Sequence, residues 1–130
     1  MRRGLMVLAG LLAACSGGSV VSYGPQQWDK TQFVVETRPS PVQAGMNEFI
    51  VIATSNDARP GVRFVVSLRV GETSEWHQAI QDGYTGVYRR AVRVSDPERD
   101  VLSVKVRKSR GDEETILYFP LGKAPPGAKQ

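Results

Sequence analysis

The chain has 130 residues, 17 lysine and arginine against 13 aspartate and glutamate, and a formal net charge of +4. That length supplies one small domain and one hydrophobic core. With one cysteine and one histidine, a disulfide within the chain and a Cys-His metal cluster are both excluded.

The chain opens with the cationic Met1-Arg2-Arg3, and Leu5 to Ala14 then carries no charge. This apolar run is about half the roughly 20 residues a membrane-spanning helix needs. A positive start, a short apolar run and small residues at its end read as an export signal. The run closes on Leu12-Ala13-Ala14-Cys15. That tetrapeptide resembles the bacterial lipoprotein box. The resemblance implies that residues 1–14 are removed, that the Cys15 sulfur receives a diacylglycerol and that its new amine is acylated, for instance with palmitate. The residue types suit the chemistry: Ala13 and Ala14 let a peptidase approach, and the group to be alkylated must be a thiol. Each buried methylene contributes about 0.8 kcal/mol, so two or three acyl chains hold a protein on a membrane essentially permanently. Ser16 follows where an aspartate would favour inner-membrane retention, which implies the outer membrane, facing the periplasm. The alternative, a buried structural cysteine, is disfavoured because nothing around Leu5–Ala14 is amphipathic. Without Arg2 and Arg3 the balance is 15 basic to 13 acidic side chains, near +2. The pI of 9.5 is therefore partly a property of the leader, and no nucleic-acid partner is expected.

Residues 15–30, rich in Gly, Ser and Gln, read as a flexible tether. Residues 31–121 form the domain, and 122–130, with two prolines and two glycines, read as a disordered tail. Within the domain the hydrophobic period is two. Seven strands are predicted: Gln32–Thr37, Asn47–Thr54, Val62–Val70, Trp76–Ile80, Val87–Val94, Val101–Lys108 and Thr115–Leu121. Asn47–Thr54 is apolar on both faces and is the expected central strand. In Val62–Val70, Phe64, Val66, Leu68 and Val70 are expected inside. Ser109–Glu114 joins the last two strands as a hairpin around Gly111. The pattern points to an all-β, seven-stranded immunoglobulin-like antiparallel sandwich. By analogy with that fold, Gln32–Thr37, Asn47–Thr54, Trp76–Ile80 and Val87–Val94 pack against the other three strands.

Three stretches resemble the YtkA-like and FixH-like family of small envelope β-sandwich domains: Pro41–Val51 (PVQAGMNEFIV), the loop Ser55–Pro60 with the alternating strand after it, and Asp82–Tyr88 (DGYTGVY). The resemblance implies the same fold and, as an alternative function, a periplasmic metal-handling or oxidase-assembly accessory. The chain departs from a copper-handling pattern, with no Cys-x-x-Cys, no methionine cluster and no second histidine.

In Asp82–Tyr88, Gly83 and Gly86 permit a tight connection, and Tyr88 is expected to bury its ring and bond its hydroxyl to backbone as a corner tyrosine. His77 and Met46 are the weak metal-ligand candidates; a site needs three or four ligands, so neither a metal nor any other cofactor is expected. Asp96–Asp100 spaces three acids like part of a calcium loop but lacks its glycine and closing glutamate, and reads as a solvated turn. Strand alternation places Arg63, Val65, Arg69, Lys105, Arg107, Ile116 and Tyr118 on one outward face. Cations beside apolar and aromatic groups suit a partner surface. No catalytic set emerges. The expected function is a lipid-anchored, non-catalytic envelope protein that binds another envelope protein or serves as an accessory subunit.

Overall fold

Side chains that alternate between apolar and polar along an extended chain must bury one face, and two such faces bury each other. The computed structural model describes residues 21–122, and these fold in that way, with nine strands and no helix. The strands are β1 (Ser22–Trp28), β2 (Thr31–Arg38), β3 (Gly45–Ser55), β4 (Phe64–Val70), β5 (His77–Gln78), β6 (Ile80–Gln81), β7 (Val87–Val94), β8 (Val101–Lys108) and β9 (Glu114–Pro120). One sheet has the order β1-β2-β3-β7-β6 and the other β5-β4-β8-β9, all pairs antiparallel. This is an immunoglobulin-like β-sandwich with β1 added at one edge. Phe33, Val35, Phe49 and Val51 from the first sheet meet Val66, Leu68, Leu102, Val104, Val106 and Phe119 from the second, all buried. Each such side chain contributes about 1.5–3 kcal/mol on burial.

The structure corrects the expected organisation in two places. The segment assigned to a tether contains β1. Its Gly24-Pro25 forms a bulge, with the register shifting between Tyr23 and Gln26. Gly24 has φ +95°, and a Cβ there would lie 3.0 Å from the Phe119 ring. Tyr23 and Trp28 pack against the core, and the Gln26 amide donates to the Tyr118 carbonyl across the sandwich edge. The β1–β2 turn is Asp29-Lys30, both at positive φ (47° and 62°), as a two-residue primed turn requires. Tertiary docking makes this strand; its sequence has no alternation to announce it. Second, Trp76–Ile80 is not one strand. His77-Gln78 pairs with β4 and Ile80-Gln81 with β7, so the chain changes sheets at the buried Ala79, whose N–H donates to Val66 O at 2.8 Å. The residues before Ala79 therefore belong to the sheet opposite the one expected.

At one end of the sandwich three backbones meet. Ala53 N–H donates to Gly86 O (2.8 Å), and Gly61 N–H donates to Ala53 O (2.9 Å). Gly86 has φ +77°, and a Cβ on it would stand 2.6 Å from Ala53 O. A Cβ on Gly61 would stand 2.9 Å from the Ala53 methyl. Tyr88, 1% exposed, donates its hydroxyl to Gly61 O at 2.8 Å. The expected backbone bond exists, but not as a corner. Tyr88 stands on β7, and its partner lies 27 residues earlier, in the β3–β4 connection. Burial pushes the Tyr88 phenol above its ordinary value, partly offset by the Phe64 backbone. At this same end Lys108 meets Asp29 (2.5 Å) and Glu113 (2.8 Å), and both carboxylates raise its pKa.

The other end holds Val21, Pro41, Asp96 and Gly122 around one cleft, so the described chain begins and finishes together. Asn47, 1% exposed, holds the β2–β3 connection by bonding Gln43 N, Gln43 O and Gly45 O. The Asp100 carboxylate accepts from Ser95 N and Asp96 N, so the acids of Asp96–Asp100 cap their own turn.

Gly86→Ala must strain φ and clash with backbone. It should cost roughly 2–4 kcal/mol in urea unfolding. Gly83→Ala, at φ +55° in open space, should cost about 1–2 kcal/mol. Equal costs would show that close packing at Gly86 is unimportant. Tyr88→Phe leaves Gly61 O unpaired and should cost about 1–3 kcal/mol. Tyr23, Tyr88 and Lys108 all hold their protons more tightly folded than unfolded. Their contribution is therefore fully present below pH about 10 and lost as pH rises through the folded values. Unfolding midpoints across the alkaline range should fall, and fall less in Tyr88→Phe.

Candidate functional site

The outer face of β5-β4-β8-β9 gathers most of the residues expected there. Strand register sets three rows across β4, β8 and β9. Val65 stands beside Arg107 and Glu114; Ser67 beside Lys105 and Ile116; Arg69 beside Ser103 and Tyr118. Arg63 does not join them. It precedes β4, its carbonyl accepts from Ser109 N–H at 3.0 Å, and six extended residues put it roughly 20 Å from Arg69. Arg107 has an acid, Glu114, as its cross-strand neighbour.

The residue that organises the other two rows is Trp76, which the sequence reading placed on the wrong sheet. β5 pairs Gln78 with Ser67 and His77 with Leu68. Continuing that register sets Trp76 opposite Arg69. The Arg69 guanidinium carbon lies 4.3 Å from the Trp76 ring centroid and the Lys105 ammonium 4.4 Å. Arg69 and Lys105 are diagonal neighbours on adjacent strands. The ring quadrupole holds each cation by about 0.5–2 kcal/mol. The only signal in the sequence was a tryptophan beside a short edge strand; its partner strand could not be read from it.

Among the described residues, neither Arg69 nor Lys105 has a carboxylate within 4.0 Å, whereas Arg89 meets Glu48 (3.5 Å) and Asp82 (3.6 Å). Arg69 Nε is buried without a hydrogen-bond partner. Ser103, beneath them, is buried. Tyr118 is 55% exposed and, with Val101, Pro120 and Gly71, walls a groove beside the pair.

The other candidates fall elsewhere. His77 is half-buried on edge strand β5, and Met46 is exposed on β3 of the opposite sheet. No group of three His, Cys, Asp or Glu among the described residues is placed to hold a metal. Tyr84, exposed at the tip of the Asp82–Gly86 loop, lies at the far end of the sandwich from Val21 and Gly122. Arg90 shares the inward parity of Tyr88 and Val92, but β6 pairs only with Tyr88 and Arg89, so Arg90 sits where β7 becomes an edge. An inward charge there discourages pairing with another chain. Cys15 lies outside the described residues.

Comparison with protein-family models, with curated proteins and with solved structures returned no match.

The Trp76–cation packing is open to direct measurement. A double-mutant cycle of Arg69→Ala and Trp76→Ala should give a coupling of about 0.5–2 kcal/mol in unfolding free energy. Strict additivity would mean that the ring does not hold the guanidinium in solution.

Proposed function

We propose that this chain is a lipid-anchored, non-catalytic envelope protein whose sandwich binds another envelope protein through the outer face of β5-β4-β8-β9. One observation carries the reading: Trp76, Tyr118, Ile116 and Val65 share that face with Arg69 and Lys105. A solvated surface needs no aromatic pair of this kind. Partner surfaces use Trp, Tyr and Arg as anchors because these bring large contact area with little freedom to lose. The placement of the chain ends supports the anchored reading. Val21 and Gly122 line one end of the sandwich, so an anchor at Cys15 would hold that end toward the membrane. Only six residues lie between Cys15 and Ser22, a reach of at most about 25 Å. A domain so closely tethered presents its sheet faces sideways, to neighbours on the same membrane.

Cys15→Ala should lose all incorporation of a clickable fatty acid; label retained on that variant would refute the anchor. Tyr118→Ala should weaken capture of the native partner from its own membranes by roughly 1–3 kcal/mol, with an unchanged unfolding midpoint. Full capture by Tyr118→Ala would move the binding face elsewhere.

A further inference from the structure

We propose that the Arg69–Trp76–Lys105 cluster is a seat for a carboxylate, and that the partner presents an acidic residue flanked by an apolar one on an extended segment. This rests on the reading of the face as a partner surface and names the chemistry it selects.

Several cations of this protein lack an ion pair, and most are simply solvated. These two differ because one indole holds both, at 4.3 and 4.4 Å from its centroid. Packing on a ring satisfies neither the N–H edges of a guanidinium nor the three donors of an ammonium. Two like charges on diagonal positions also repel. The repulsion is not relieved from within. All 13 aspartates and glutamates of the chain lie between Asp29 and Glu114, inside the described residues, and none comes within ion-pair distance of Arg69 or Lys105. Arg69 Nε is buried and unpartnered, so no internal acceptor neutralises this guanidinium. A single anion bridging the two side chains would meet both needs, with charge-assisted bonds stronger than neutral ones.

The surroundings select among anions. Beside the pair runs the groove of Gly71, Val101, Ser103, Tyr118 and Pro120, with Glu72, Arg99 and Asp100 also lining it. Two acids against one cation leave the groove net negative, whereas Arg69 and Lys105 are both cationic and have no acid within 4.0 Å. The charge therefore seats between Arg69 and Lys105, and an apolar side chain follows into the groove. A free phosphate has nothing to put there. A lipid phosphate, like a free one, is not followed by a short apolar side chain that could enter the groove. A peptide carboxylate with an apolar neighbour satisfies every one of these conditions.

The test uses the full-length chain in detergent micelles and the indole N–H resonance of Trp76, assigned by its loss in Trp76→Phe. The probe is a short blocked peptide alternating glutamate and valine. Expected are a saturable shift of the Trp76 resonance that weakens as salt rises, and affinity lower by about tenfold or more in Lys105→Gln and in Arg69→Gln. Arg69→Lys, which keeps the charge, should retain part of the binding. Unfolding midpoints of the variants establish that each is folded. The inference is overturned if the glutamine counterpart of the peptide binds equally well. It is also overturned if inorganic phosphate or phosphatidylglycerol vesicles shift Trp76 more strongly than the peptide, or if both glutamine variants keep full affinity. None of these measurements depends on lipidation or on the native partner. Failure here with fatty-acid labelling of Cys15 intact would leave the anchored protein standing and remove only its preference for acidic segments.

Discussion

Ala53 lies between two glycines, accepting from Gly61 N–H and donating to Gly86 O. Neither glycine tolerates a Cβ without displacing Ala53, whose carbonyl or methyl would lie within 3 Å of it. The distal end of the sandwich is drawn together by this contact. It ties the connection before β4 and the connection before β7 to the central strand β3. Tyr88, on β7 of the same sheet as β3, donates its hydroxyl to Gly61 O, so Gly61 is held through both its N–H and its carbonyl. Buried backbone groups must find partners, and here each partner belongs to a different connection. The starting position of β4, and with it the parity that puts Val65, Ser67 and Arg69 outside, follows from that closure.

The candidate face owes its character to the change of sheet at Ala79. Because β5 joins β4 before the chain crosses to β7, the residues preceding β5 extend over the outer face of the second sheet. Trp76 arrives there as a lid on Arg69 and Lys105. Elsewhere the protein handles its cations differently. Arg89 stands between Glu48 and Asp82, and Lys108 between Asp29 and Glu113. Those pairs are complete in themselves; the cluster under Trp76 has aromatic contact but no anion. Partly exposed ion pairs contribute modestly to stability, so the paired cations keep the surface soluble and fix two turns. The charge of the cluster under Trp76 is what the proposed acidic partner would meet.

β1 fixes where the described chain enters the sandwich. It docks along β2 and reaches β9 through Gln26 and Tyr118, which leaves few residues between the sandwich and Cys15. The candidate face includes Tyr118 itself, so the strand nearest the N-terminus braces the strand that carries an expected anchor residue. A partner gripping Tyr118 would pull on a strand fastened along both its flanks.

The fold class was legible in the sequence because burial on one face of a strand imposes a period of two. Val62–Val70 and Val101–Lys108 display that period without interruption. Asn47–Thr54, apolar on both faces, announced a central strand, and β3 is the middle strand of five. The export signal expected at residues 1–14 and the lipidation expected at Cys15 rest on a local motif, and the fold does not bear on them. Ser22–Trp28 was not legible: with a glycine, a proline and two glutamines it has no alternation, and it becomes a strand only because Tyr23, Trp28 and Gln26 find the core and β9. The partner strand of Trp76 was not legible either. Side-chain parity is local, so the sequence by itself determined which residues of β4, β8 and β9 face outward. Which sheet a two-residue strand joins depends on a neighbour distant in the chain. Only the tertiary structure could place Trp76 over Arg69 and Lys105, because that contact depends on three separate segments meeting in space.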